Sequence, residues 1–319
     1  MRFIPVYPLA PPLIGIDSPT TLTHVCRQWR DVALASPMLW SAIKFDDMYH
    51  DVYQRTVLRC ILTDWIKRSR SCGLSISVTI DDDEFLQEIL ADPSTVRWER
   101  LQLEGWVNSF LDIHSPLPML HSLDFKPYRV STFGFTFHGA LRQLRTAVLC
   151  GRAIPAGLPW VQLTCLTLNG VTMNGCVAIL AQTPNLVRCV VTLYRRPKFD
   201  SLTRVDFALP FLESLVLKIE GRTSRHQTIT REFLDLFVLP ALSRLVVEEI
   251  FLREDLIARL QSLISRSGCK LQEVCIRGRL TTTVRDRLGQ AFPSIPTFSF
   301  PVAYEEESDE DEYEEDDSD

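Results

Sequence analysis

Six histidines and nine cysteines are the side chains here best suited to hold a metal or act as nucleophiles. The histidines are His24, His50, His114, His121, His138 and His226. None is paired with a cysteine or another histidine at the short spacing that lets one helix or loop present zinc ligands. The cysteines are Cys26, Cys60, Cys72, Cys150, Cys165, Cys176, Cys189, Cys269 and Cys275. They form no C-x-x-C and mostly sit in apolar runs, where a thiol behaves as a small hydrophobe. Asp81-Asp82-Asp83-Glu84 gathers four carboxylates, but without the alternation and glycine of a calcium loop. Such a run suits the opening of a helix over Phe85–Leu90, where negative charge meets the helix dipole. No G-x-G-x-x-G, phosphate-loop, H-E-x-x-H or G-x-S-x-G pattern occurs. The expectation is a protein that is not an enzyme, with no metal and no cofactor. An enzyme whose site is assembled from loops of a larger array is the alternative.

Two further clusters are polar. Arg195-Arg196-Pro197-Lys198 reads as a solvated loop, or as a nuclear signal or phosphate contact. Ser308 is followed by Asp309, Glu310 and Asp311, a setting that suits acidophilic kinases. Phosphate there would add nearly two negative charges. The net charge of −6 hides an asymmetry, because residues 305–319 carry twelve acidic side chains and no basic one. The rest carries 34 basic against 28 acidic residues, a mildly basic body. The tail is too charged and too poor in apolar residues to build a core, so 301–319 reads as disordered. It folds back on the basic body or serves solubility.

Basic residues are scattered through the body, which gives no footprint for nucleic acid. Hydrophobic residues make up 46% of the 319, enough for one large or two smaller domains with a real core. The apolar start, MRFIPVYPLAPPLIGI, is broken by Pro5, Pro8, Pro11 and Pro12, so a signal helix is not expected. No apolar run reaches the roughly 20 residues that span a bilayer. Free thiols and the absence of Asn-X-Ser/Thr sequons fit a reducing compartment, cytoplasmic and/or nuclear.

The elements come next. Asp17 or Ser18 can cap a helix over Pro19–Ala35, with the proline in the first turn. Leu22, Val25, Cys26, Trp29, Val32 and Ala33 then fall on one apolar stripe. Ser36-Pro37 ends it, and Met38, Leu39 and Trp40 follow. A second helix is expected over 51–69, with Val57, Leu58, Ile61, Leu62, Trp65 and Ile66 on its stripe. Leu74–Ile80 alternates strictly, as a strand does.

From there one pattern recurs: L-x-x-L-x-L with apolar substitutes, beginning at Trp98, Leu120, Leu144, Leu163, Leu186, Leu212, Leu242 and Leu271. The spacings are 22, 24, 19, 23, 26, 30 and 29 residues, within or near the period of about 20–29 that marks leucine-rich repeats. Each unit is a short strand plus a helical or irregular arm, such as 171–182 and 253–265. Neither part can bury its apolar side alone, so units stack into a curved solenoid. Side chains alternate along a strand, so one set faces the concave side. That set includes Val190, Val216 and Val246, with Lys218, Glu248 and Arg277 beside them. An exposed apolar patch with a polar rim marks a protein interface, although valine suits a strand wherever it sits.

The segment Leu22–Trp40 resembles the second and third helices of an F-box. The matching positions are Val25, Cys26, Trp29, Arg30, Ala33, Pro37, Leu39 and Trp40. A Trp-bearing helix, the L-S-I-S strand and R-W-E-R-L-Q-L at Arg97–Leu103 follow in the order seen in fungal F-box-like proteins with degenerate leucine-rich repeats. That resemblance implies an α/β leucine-rich-repeat solenoid, a ribonuclease-inhibitor-like horseshoe. It would carry a partial F-box-like segment (1–48), a linker helix (49–73), repeats (74–300) and the acidic tail (301–319). It also implies a Skp-family adaptor bound through Leu22, Val25, Cys26, Trp29, Leu39 and Trp40. A cullin–RING ligase would join through that adaptor, and the repeats would hold an unknown target protein. Trp29 and Trp40 serve equally well as core residues of a small helical cap. The L-P-x-E-I/L helix that opens an F-box has no counterpart, because Pro11-Pro12-Leu13-Ile14-Gly15-Ile16 stands in its place. Either the chain begins inside the motif or its adaptor site is degenerate. A repeat scaffold that only binds proteins is the second reading.

Overall fold

The computed structural model describes residues 11–46, 52–80, 83–105, 111–127, 135–151, 154–194, 207–220, 233–252 and 255–301. The tail with Ser308, the loop Arg195–Lys198, and Asp81 and Asp82 lie outside these residues. The strands are β1 (Ala42–Asp46), β2 (Leu74–Ile80), β3 (Trp98–Gly105), β4 (Leu111–Ile113), β5 (Ser122–Pro127), β6 (Phe135–Phe137), β7 (Thr146–Cys150) and β8 (Cys165–Val171). They continue as β9 (Arg188–Leu193), β10 (Phe207–Ala208), β11 (Ser214–Ile219), β12 (Phe237–Val238), β13 (Arg244–Glu248), β14 (Glu273–Arg277) and β15 (Thr297–Ser299). The helices are α1 (Leu22–Val25), α2 (Arg27–Ala35), α3 (Val52–Arg68), α4 (Asp83–Ala91), α5 (Met173–Leu180), α6 (Leu256–Ser267) and α7 (Thr282–Ala291).

Eleven strands form one sheet in the order β1-β2-β3-β5-β7-β8-β9-β11-β13-β14-β15. Every neighbouring pair is parallel, so strand order follows chain order. Parallel neighbours need a crossover, since a hairpin cannot reverse the chain twice. The helices α3, α4, α5, α6 and α7 supply five of these crossovers. Elsewhere short parallel pairs, β4 with β6 and β10 with β12, stand in the connecting arms. This course is compatible with a solenoid.

Two adjacent rows of side chains hold the sheet. One runs in register through Ile43, Ile76, Leu101, Leu123, Ala147, Leu166, Cys189, Leu215, Leu245 and Val274. The other runs through Phe45, Val78, Leu103, Phe125, Leu149, Leu168, Val191, Leu217, Val247 and Ile276. All twenty are buried. The first residues of the recurring pattern, from Trp98 to Leu271, are buried behind them. A backbone ladder precedes the strands: Arg145 N–H donates to His121, Thr164 to Arg145, Val187 to Thr164, Glu213 to Val187 and Ser243 to Glu213, at 2.8–3.0 Å.

The arms are fixed by ordinary capping. Asp255 accepts from the Ala258 N–H at 3.0 Å to start α6, and Gly268 ends it at φ +63°, where a side chain would strain the backbone. Thr172 caps α5 and Thr281 caps α7. The expected strand over Leu74–Ile80 is β2, and the helix expected over 51–69 is α3. Strand β1 was not anticipated; the sheet therefore begins within the segment assigned to the F-box-like part. Among the described residues no helix is long and apolar enough to cross a membrane.

The two faces of the sheet should respond differently to truncation. Leu215→Ala is expected to lower unfolding free energy in urea by about 2–5 kcal/mol. Val216→Ala, one residue away on the other face, is expected to lower it by about 1 kcal/mol or less. Equal losses would contradict the two-faced packing.

Candidate protein-binding surfaces

The N-terminal helical segment is held by short-range bonds. The Ser18 hydroxyl donates to the Leu13 carbonyl at 2.8 Å and accepts from the Thr20 N–H. The expected single helix over 19–35 is instead a 3-10 turn, α1 and α2. It breaks at Cys26, whose backbone is extended at φ −159° and ψ 174°. No capping side chain stands there, and the Arg30 guanidinium ties the two pieces by donating to the Thr23 carbonyl at 2.7 Å.

The break changes what the apolar stripe does. Ala33 is buried, and Leu22 and Leu39 rest half-buried on the core. Val25, Trp29, Val32 and Met38 point outward, each more than half exposed. Trp29 and Val32 are three apart on α2 and share a face. Cys26 is exposed beside them. Single exposed apolar residues are ordinary, but a group of them marks an interaction site.

Trp40 has the opposite fate. It is fully buried, its indole N–H donates to the Ala33 carbonyl at 2.9 Å, and its ring meets Trp65 edge-on at 5.3 Å. The Arg68 guanidinium lies 4.8 Å from its ring centre. Adaptor contact was assigned to both tryptophans in sequence; for Trp40 this is corrected, because a side chain enclosed on all sides cannot reach a partner.

Ahead of this segment, Pro11 and Pro12 run along the edge of the sheet. The Lys44 N–H donates to the Pro11 carbonyl at 3.3 Å, and Pro12 bridges Lys44 in parallel. Prolines suit a sheet edge because they need no ladder partner for a missing N–H. Leu13 then enters the core.

On the sheet face opposite the core, Val190, Val216 and Val246 stand in register across β9, β11 and β13. Val190 and Val216 are half-buried, but Val246 is only 3% exposed. The expected exposed patch therefore lacks its third valine. Val246 is flanked by Val216 and Cys275 on strands about 4.8 Å away, which leaves its branched side chain little open surface. Glu248 pairs in register with Arg277 and accepts from the Ile219 N–H of β11 at 3.0 Å. Burial pushes the Glu248 carboxyl above the usual carboxylate range, opposed by that N–H and by Arg277 and Lys218. Lys218, Glu248 and Arg277 are thus brought together as a mixed-charge rim.

A second polar group lies on β5. Asp124 takes a bond from Lys126 at 2.9 Å, and burial raises its carboxyl despite that partner. The rings of His114 and His138 stack at 4.6 Å, a pairing that their sequence separation did not suggest. Among the described residues no three His, Cys, Asp or Glu side chains converge as for a metal. All nine cysteines are free. Burial pushes the Cys189 thiol up to about 12 and the Cys176 thiol also upward, so both stay protonated and unreactive.

No family model matches this chain, and neither a curated protein nor a solved structure matches it.

Two outcomes follow from this geometry. Trp40→Ala should cost about 3–5 kcal/mol of stability, while Trp29→Ala, at a side chain more than half exposed, should cost about 2 kcal/mol or less by the same denaturant titration. For Glu248 the folded state raises the pKa, so ionisation weakens the fold above the folded value and has no effect below the unfolded one. Glu248→Gln should therefore raise the thermal midpoint near neutral pH, and the gain should vanish towards about pH 4. A gain that persisted unchanged in acid would contradict the assignment.

Proposed function

We propose that this protein is the substrate-recognition subunit of a Skp–cullin–F-box ubiquitin ligase. In this reading the strand array is a leucine-rich-repeat solenoid, and the segment around α1 and α2 is a shortened F-box. The observation that carries the reading is the outward group Val25, Trp29, Val32 and Met38. An apolar group of this kind, on a short helical element attached to the end of a sheet, fits docking by an adaptor protein. Leu22 and Leu39 would support it from beneath. The cullin–RING assembly would supply the ubiquitin chemistry, and this chain would catalyse nothing. The target protein would lie on the sheet face opposite the core, against Val190, Val216 and the Lys218–Glu248–Arg277 rim. Nucleic acid and membrane are not partners in this reading, and no cofactor is needed.

A second reading rests on a different observation. Pro11 and Pro12 lie against β1, and the chain then bends through 13–18 to the 3-10 turn at Pro19, where the opening helix of an F-box would stand. That favours a non-catalytic leucine-rich-repeat scaffold that binds proteins without the adaptor.

A pull-down of the purified chain on an immobilised Skp-family adaptor separates the two. The ligase reading expects capture of wild type and a loss of at least about tenfold in affinity for Trp29→Ala, as for a central aromatic contact. Wild type that is not retained would sink it and leave the scaffold.

A further inference from the structure

The middle of the sheet face opposite the core differs in composition from its borders. Positions 146, 148 and 150 of β7 stand in register with 165, 167 and 169 of β8, 188, 190 and 192 of β9, and 214, 216 and 218 of β11. These twelve positions, three on each of four strands, carry two charges, Arg188 and Lys218, and no carboxylate. Their central row is Val148, Thr167, Val190 and Val216, all half-buried. Arg188 lies to one side of that row and Lys218 to the other. Arg188 is exposed, and no partner engages its guanidinium among the described residues. Carboxylates stand at the borders: Asp124 on β5, Glu248 and Glu273 on β13 and β14, and Glu213 and Glu220 just before and just after β11. Two of them are already paired, Asp124 with Lys126 at 2.9 Å and Glu273 with Arg244 at 2.8 Å.

The dimensions of this region select what can lie on it. Neighbouring strands are about 4.8 Å apart, so the four central side chains repeat at that interval over about 14 Å. Along an α-helix, positions i, i+3 and i+4 return to one face every ~4.5–6 Å, which keeps step with the strands. An extended peptide returns to one face only every ~6.8 Å, and by its third side chain it is almost a whole strand out of step. A helix with its side chains is about 10–12 Å wide. Arg188 and Lys218 are four positions apart along the strand direction, about 13 Å, so they straddle a helix of that width.

We propose that this face takes an amphipathic α-helix of the target protein, laid across β7, β8, β9 and β11. Its apolar stripe meets Val148, Thr167, Val190 and Val216, and carboxylates on its two flanks meet Arg188 and Lys218. Matching repeat and opposite charge choose this occupant. It rests on the reading above that the target lies on this face, and adds to it the target's form and charge.

Selection from a displayed library of random peptides on the immobilised full chain tests this, with peptides of about 16 residues, long enough for four helical turns. The enriched sequences should carry apolar residues at i, i+3, i+4 and i+7 with Asp or Glu on both flanks. Made as a free peptide, the best of them should gain helical circular dichroism on binding. Val216→Glu should abolish that binding. Arg188→Glu/Lys218→Glu, which changes only surface charge and leaves the packed rows intact, should weaken it by about tenfold or more. Peptides that Val216→Glu releases, but that alternate with period two, carry basic flanks or ignore the charge variant, would overturn the acidic helix and leave the target on this face. Peptides unaffected by both variants, or no enrichment at all, would overturn both.

Discussion

Everything in this molecule depends on two adjacent rows of apolar side chains staying in register across a long parallel sheet. Side chains alternate along each strand, so a slip of one residue would send both rows to the wrong face. The rows run from Ile43 and Phe45 in β1 to Val274 and Ile276 in β14, and every member is buried. Burial of that kind is worth roughly 1.5–3 kcal/mol per large side chain before the entropy of ordering is counted. It fixes the strands, and the strands fix where each arm must leave and return. The helices and short strand pairs then shield the far side of the rows.

With one face committed to packing, the other is free to vary. On it stand Val190 and Val216, the Lys218–Glu248–Arg277 rim, and the Asp124–Lys126 pair. None of these residues is required by the apolar rows, which is why composition there carries information about partners rather than about folding. The same separation applies at the first edge. Trp40 belongs to the core through Trp65 and Ala33, whereas Trp29 keeps 53% of its surface exposed. A large aromatic side chain left half in water beside exposed Val25 and Val32 is the main physical support for the proposed adaptor-binding role.

Strands β3, β5, β7, β8, β9, β11, β13 and β14 were legible because L-x-x-L-x-L states both the period of a strand and the burial of one face, whereas the short β4, β6, β10, β12 and the last strand β15 were not anticipated. Helices α3 and α6 were legible from their stripes, and Gly268 from the left-handed turn that closes α6. The limits lie where local pattern and tertiary packing part. The stripe from Leu22 to Ala33 runs through Cys26 without interruption, so the sequence carries no sign of the break that turns Trp29 outward. Strand β1 is a single short run, Ala42–Asp46, without a period of its own. Its place in the sheet is set by pairing with β2, a contact that sequence spacing does not encode. Val246 reads like Val190 and Val216 in sequence, and differs only in what its neighbours leave open. The two tryptophans are likewise equivalent by type and spacing, and only three-dimensional packing tells them apart.

The most direct test of the account is hydrogen–deuterium exchange of the full chain with and without a Skp-family adaptor. The account predicts new protection confined to residues 22–38, with the sheet from β2 to β15 unchanged. Protection spread over the sheet face instead, or no change anywhere at saturating adaptor, would contradict it.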